Sequence, residues 1–127
     1  MLNCAVNQLC ALLRMPYGAL IHYAPLRELA RAVCQEVAAV AACEGVRLTE
    51  ADIQRFFDTV AALSDTGQPS MLQDVLAHRR TEADLFSGAV IALGERHGVP
   101  TPIAHVLYAQ LRTLEADDQA TPSLRLR

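Results

Sequence analysis

Apolar residues recur at intervals of three and four along most of the chain, the spacing that places them on one face of an α-helix. Six such stripes are separated by proline, glycine or short polar stretches, which end helices and turn the chain. No segment alternates apolar and polar residues as a half-buried strand does. The pattern predicts an all-α fold of about six helices, over residues 2–13, 26–41, 49–63, 70–76, 81–97 and 101–114.

Polar residues mark where several of these helices begin. Thr49, Ser70 and Thr81 are each followed three residues later by an acidic or amide residue, which is the spacing of a capping box. The last stripe gives way to alanine and acidic residues, so the final helix is expected to fray over 115–118. We therefore predict one helical domain over residues 1–115 and a flexible tail over 116–127.

The size and charge of the chain narrow its class. Its 127 residues, 52% of them apolar, suffice for one domain with a buried core. The net charge of −3 argues against binding to nucleic acid or to an anionic membrane, because neutralising phosphates needs clustered lysine and arginine. Charged or amide residues interrupt the apolar stretches within 18 positions, and no signal-peptide pattern follows Met1, so we expect a cytoplasmic protein.

Three polar features are candidates for ligand binding. Asn3 and Asn7 lie four residues apart, so their amides share one helix face and could hydrogen-bond a small ligand rich in oxygen. Ser70 could donate its hydroxyl to a ligand carboxylate, and Glu82 could orient a cationic group or accept from a ribose hydroxyl. The pattern alone favours a plainer interpretation of each: solvent-facing amides, an N-cap for Ser70, and a first-turn carboxylate favoured by the helix dipole for Glu82.

Other common kinds of site are not indicated. The four histidines are never three or four residues apart, and none pairs with cysteine at a metal-ligand spacing, so no metal site is predicted. The four cysteines form no Cys-x-x-Cys motif and are interpreted as small buried thiols in a reducing compartment. The chain also lacks the glycine-rich fingerprint of a dinucleotide-binding fold. We therefore expect it to bind neither metal nor cofactor on its own.

Several motifs occur together in one order along the chain. The sequence N-x-x-x-N-x-L-x-A begins at Asn3, S-M-L-Q-D begins at Ser70, T-E-A-D begins at Thr81, and H-G-V-P-T-P begins at His97. Each motif is weak alone, but their order and spacing are specific. Over about residues 1–114 the set closely resembles the C-terminal domain of the ketopantoate reductase (2-dehydropantoate 2-reductase) family.

The resemblance implies a helical substrate domain that follows an N-terminal dinucleotide-binding domain, with NADPH and ketopantoate held in the cleft between them. Such enzymes reduce 2-dehydropantoate to pantoate in pantothenate biosynthesis, and a lysine protonates the developing alkoxide. By this resemblance Asn3, Asn7 and Ser70 bind oxygens of the substrate, and Glu82 lies near the lysine and the cofactor. Amide and hydroxyl donors suit a site where negative charge develops on a ketone oxygen.

Two positions depart from the family pattern. The family's lysine stands one helical turn before the first asparagine, a position that would precede Met1, so this chain is expected to carry no catalytic residue of its own. Tyr17-Gly18 stands where the family often has Asn-Gly, which removes one possible substrate amide. Alone, the chain is predicted to be catalytically silent, and its substrate would be ketopantoate or a related 2-keto acid.

A non-enzymatic interpretation stays open beside the enzymatic one. The chain could be a stand-alone helical module that binds itself or a partner, which its mean hydropathy of +0.19 favours. A generic helical bundle with chance similarity is a third possibility. In the family the first helix continues upstream, so its apolar residues are expected to be partly uncovered here, which predicts a homodimer. These residues are Leu2, Val6, Leu9 and Leu13.

Overall fold

Helices form the framework of the chain, which the computed structural model describes over residues 1–119. All six predicted helices are present, one short helix is additional, and no strand occurs within the described range, so the all-α prediction is confirmed. Two of the predicted helices begin with a π-helical turn. The elements are π1 (Asn3–Asn7), α1 (Gln8–Leu13), α2 (Ala19–His22), α3 (Ala24–Cys43), α4 (Glu50–Ala61), α5 (Ser70–Leu76), π2 (Asp84–Gly88), α6 (Ala89–His97) and α7 (Pro102–Gln119).

The start of α4 follows its sequence signal, whereas the start of α5 does not. Thr49 and Asp52 form the predicted capping box: the Asp52 carboxylate accepts the backbone N–H of Thr49 at 2.7 Å and its hydroxyl at 2.8 Å. In α5 the N-cap is Pro69, so the predicted N-cap role of Ser70 is wrong. Ser70 is instead the first residue of the helix, and its hydroxyl can serve another partner.

The segment before π2 is fixed to α7 by a polar cluster, in place of the capping box predicted at Thr81. The backbone N–H and the hydroxyl of Thr81 both donate to the Glu115 carboxylate at 2.7 Å. Asp84 forms an ion pair with the Arg112 guanidinium at 2.6 Å and accepts a hydrogen bond from the Tyr108 hydroxyl at 2.8 Å. These bonds lower the pKa of Asp84 below its ordinary value, and they connect π2 to the last helix.

The main core lies among π1, α1, α2, α3 and α4, with one residue from α7. Phe57 of α4 lies at the centre of this core and is 1% exposed. Val6 and Leu9 are each 2% exposed, so the prediction that they are uncovered is wrong, because they belong to this core. Leu2 and Leu13, at the two ends of the same helix, are 39% and 50% exposed, as predicted.

The last helix extends further than the sequence indicated. It begins at Pro102, and the half-buried carboxylate of Glu36 accepts the backbone N–H groups of Ile103 and Ala104 at 3.1 and 3.3 Å, which satisfies part of its first turn. The helix continues to Gln119, so the fraying predicted over 115–118 is not found. The rest of the predicted tail, 120–127, lies outside the described residues.

Two further expectations concern the burial of the cysteines and the length of the apolar helices. All four cysteines are free. Cys10 and Cys34 are buried and Cys4 is half-buried, but Cys43 is exposed at the end of α3, where the prediction of a buried thiol is wrong. Within residues 1–119, no helix combines the length and the apolar character that crossing a bilayer requires.

Candidate functional site

Asn3, Asn7 and Ser70 come together where π1 meets the start of α5. The side-chain amide of Asn7 donates to Asn3 Oδ1 at 3.1 Å. Asn7 Oδ1 accepts from the Ser70 hydroxyl at 3.4 Å and from the backbone N–H of Met71 at 3.3 Å. Three of the four residues singled out in the sequence therefore form one hydrogen-bonded group, here called the amide cluster (Asn3, Asn7 and Ser70).

The direction of these bonds determines what the amide cluster can bind. Because Asn7 Oδ1 already accepts twice, Asn7 offers a ligand its second amide N–H. Asn3 Nδ2 makes no hydrogen bond within residues 1–119, so both of its N–H groups are available. The cluster thus presents mainly donors, which suit a carboxylate or a ketone oxygen because these groups only accept.

Burial separates the base of the amide cluster from its rim. Asn7 is 7% exposed, so its interpretation as a solvent-facing amide is wrong. Asn3 and Ser70 are exposed and form the open rim. A withdrawn amide with its carbonyl oxygen fixed by two donors keeps one orientation, which favours a defined contact with a ligand over a solvated surface amide.

Glu82 forms no hydrogen bond with the amide cluster. Its side chain is exposed and forms no hydrogen bond or ion pair with the rest of residues 1–119. The acidic residue in the first turn of π2 is Asp84, so the interpretation of Glu82 as a first-turn carboxylate is wrong. Glu82 therefore presents a solvated carboxylate before π2, and residues 1–119 supply no partner that would explain it.

Residues 1–115 match the family described as ketopantoate reductase PanE/ApbA, C terminal. The chain belongs to this family. The match covers π1, α5 and π2, so all four residues taken from the resemblance fall inside the ketopantoate reductase region.

Individual relatives agree with this assignment. The chain is 39% identical over 119 residues to a 2-dehydropantoate 2-reductase of Vibrio cholerae, a match that covers 89% of this chain and 38% of the relative. A solved ketopantoate reductase of Ralstonia eutropha is 32% identical with a TM-score of 0.85, covering 94% of this chain and 40% of that one. A D-mandelate dehydrogenase solved with NADH and anilino(oxo)acetate is 26% identical with a TM-score of 0.83, covering 94% and 40%. The chain spans about 40% of the length of these relatives.

Burial keeps three of the thiols in this ketopantoate reductase domain in their neutral form. Cys4 lies within π1, between the two asparagines, and burial raises the pKa of its thiol. Burial also raises the pKa of Cys10 to about 12 and that of Cys34 to about 11. These thiols stay protonated, so neutral donors set the electrostatics of the amide cluster. Residues 1–119 contain no group of three or more His, Cys, Asp and Glu placed to hold a metal ion.

A buried polar pair behind the amide cluster is not evident from the motifs of the ketopantoate reductase family quoted above. Gln8 and Ser87 are each 1% exposed, and the Ser87 hydroxyl donates to Gln8 Oε1 at 2.5 Å. Gln8 Nε2 donates in turn to the Cys4 carbonyl at 2.5 Å. Helical spacing could have identified Gln8 as a buried residue. Gln8 lies three residues after Ala5 and four before Leu12, on the apolar face of the helix.

Proposed function

We propose that this chain is the substrate-binding domain of an NADPH-dependent 2-keto acid reductase whose substrate is ketopantoate. The observation that carries the proposal is the amide cluster, in which residues 63 positions apart meet through hydrogen bonds. These are the residues that the family resemblance assigns to the substrate. The relative solved with anilino(oxo)acetate, an oxo acid derivative, supports a ligand of this class.

The donors of the amide cluster would act on oxygens of the substrate. Reduction of a 2-keto acid turns the ketone oxygen into an alkoxide, so negative charge grows there in the transition state. Donors that are already oriented stabilise that charge without reorganising, and they hold the carboxylate in place. Asn3 and Asn7 take these roles with their amide N–H groups. The Ser70 hydroxyl joins them by turning its one hydrogen from Asn7 Oδ1, 3.4 Å away, to the substrate.

We expect the described residues to bind no dinucleotide by themselves. Residues 1–119 contain no strand, and the phosphate-binding turn of a dinucleotide fold is built at the end of one. NADPH supplies the hydride when it is bound by a second domain. Glu82 is the one residue here assigned to the cofactor side of the cleft, where its exposed carboxylate would face the family's lysine and tune that proton donor.

Reconstitution tests the proposal. A chimera would join the dinucleotide-binding domain of the Vibrio cholerae relative, with its lysine segment, to this chain before Met1. We expect the chimera to oxidise NADPH in the presence of ketopantoate, and the 127-residue chain alone to bind no NADPH in a fluorescence titration. Glu82→Gln in the chimera is expected to lower kcat and shift its pH profile. A folded chimera that binds NADPH but reduces neither ketopantoate nor related 2-keto acids would contradict the proposal.

A second candidate function is self-association, which an apolar groove favours. The groove has a volume of about 540 Å³, and Leu12, Leu107 and Leu114 contribute to its lining. It shares Leu13 and Leu29 with a neighbouring groove of about 340 Å³, and these two side chains are 50% and 39% exposed. A second copy would cover this surface, giving the homodimer predicted from the sequence.

Light scattering at tens of micromolar tests the homodimer. We expect a mass of twice 13.8 kDa for the wild-type chain, and dissociation to the monomer in Leu13→Glu, because a charge in the groove would have to be desolvated on association. Val106→Glu is the matched control, since Val106 is 55% exposed and does not line either groove. A wild-type monomer would contradict the homodimer.

A further inference from the structure

Gln8 and Ser87 are buried polar side chains that the proposed substrate contacts do not use. A buried amide is unfavourable unless its donors and acceptors are satisfied, and here the bonds of Gln8 go to two separate elements. Its oxygen accepts from Ser87 in π2, and its nitrogen donates to the carbonyl of Cys4 in π1. The side chain therefore bridges the two π-helical turns through the interior.

The bond to the Cys4 carbonyl affects the shape of π1 directly. In an α-helix this carbonyl would accept the backbone N–H of residue 8. In this chain the backbone N–H of Gln8 donates to the Ala5 carbonyl, while the side-chain amide of the same residue donates to the Cys4 carbonyl. The side chain thus supplies a hydrogen bond that a regular α-helical backbone would have made, and it stabilises the widened turn.

The other end of the bridge is anchored. Ser87 lies in π2, whose first residue, Asp84, is bonded to Arg112 and Tyr108 of α7. The position of the Ser87 hydroxyl is therefore set by the last helix. A fixed donor at one end and a backbone carbonyl at the other leave Gln8 little freedom to turn.

We infer that Gln8 and Ser87 are positioning residues that set the geometry of the amide cluster. Asn3 directly precedes Cys4, and Asn7 directly precedes Gln8, so the bridge fixes the backbone beside each asparagine. π-helical turns within α-helices are frequent at functional sites, where they redirect side chains. The importance of this geometry rests on the proposed function, but the geometry itself can be measured without any ligand.

The chain offers a selective probe because Asn3 and Asn7 are its only two asparagines. Labelling asparagine with ¹⁵N gives two pairs of side-chain amide signals, assigned with Asn3→Asp. We expect both pairs to shift in Ser87→Ala and in Gln8→Met, which removes the amide at similar volume. Ser87→Thr keeps the hydroxyl and is expected to return the signals toward their wild-type positions.

A core substitution on another element separates positioning from general destabilisation. Val60→Ala is the control, because Val60 is 1% exposed on α4, which packs against α2 and α3. Val60→Ala is expected to lower the Tm about as much as the Gln8 and Ser87 variants do, and to leave the asparagine signals unshifted. If a single variant fails to fold, the double variant Gln8→Met/Ser87→Ala gives the same measurement, since neither side chain then loses its partner. Unchanged signals in the folded variants, or equal shifts in Val60→Ala, would overturn the inference. Failure of the chimera to reduce ketopantoate would contradict the proposed function but leave this inference standing, so the two failures are distinguishable.

Discussion

Asn7 and Ser70 make contacts that the ordinary structural interpretation of each residue does not predict. A serine before an apolar helix is typical of an N-cap, yet Pro69 occupies that position and the Ser70 hydroxyl donates to Asn7 instead. The amide of Asn7 is withdrawn from water and its oxygen is used twice. At this scale the amide of Asn7 has one orientation before any ligand arrives, because its oxygen is held by two donors.

The lowered pKa of Asp84 in the folded state makes the stability of the fold depend on pH. Hydrogen bonds from Arg112 and then Tyr108 lower its pKa in the folded state, whereas the unfolded chain restores the ordinary value. The stabilisation is therefore complete above the ordinary carboxyl pKa and is lost as the pH falls through the lower folded-state pKa. We expect the free energy of unfolding, measured with denaturant from about pH 7 to pH 3, to fall less steeply in Asp84→Asn than in the wild type.

An exposed carboxylate on another helix provides the control for this measurement. Within the described part of the chain, Asp58 of α4 accepts only from Gln54, at 2.9 Å, so Asp58→Asn is expected to keep the wild-type pH dependence. Indistinguishable slopes for the wild type and Asp84→Asn would show that Asp84 is not held in its charged form by the folded state.

The helices that the sequence predicts well are those specified by nearby residues. The long α3 follows its apolar stripe, and the Thr49–Asp52 box starts α4, because both signals act within a few residues. The elements that were missed depend on distant partners. The turn into α2 is fixed by Gly18, whose N–H donates to the Asp65 carbonyl at 3.0 Å, and π1 is bridged to Ser87, 79 residues from Gln8.

In the candidate site too, the features set by nearby residues were predicted and those set by distant partners were not. Helical spacing placed Asn3 and Asn7 on one face, and their positions near helix starts singled out Ser70 and Glu82. Family resemblance then favoured a functional interpretation of all four residues. The bond between Asn7 and Ser70 could not be predicted, because it depends on how α5 packs beside π1 after the polar loop. The Gln8–Ser87 bridge was missed for the same reason, since no local pattern reveals which buried donor will face a glutamine.

At the scale of the whole molecule, the proposed function makes this domain one half of a binding site. The amide cluster has a buried base and an exposed rim, and the chain spans about 40% of the length of its relatives. In the proposed enzyme a dinucleotide-binding domain closes over this rim, excludes water from the donors and brings the hydride to the substrate. The helical domain then contributes the recognition of the 2-keto acid.

The most direct test of this account is the steady-state kinetics of the chimera with Ser70→Ala. We predict that kcat/KM for ketopantoate falls about 5- to 150-fold. This corresponds to a loss of about 1–3 kcal/mol of transition-state stabilisation, because a hydrogen bond to a charged or developing-charge group is lost. The Tm should stay close to that of the unsubstituted chimera, since Ser70 does not cap α5. Ser64→Ala, in the exposed loop before α5, is the control and should leave kcat/KM unchanged. An unchanged kcat/KM in Ser70→Ala, with or without a loss of stability, would contradict the assignment of the amide cluster to the substrate.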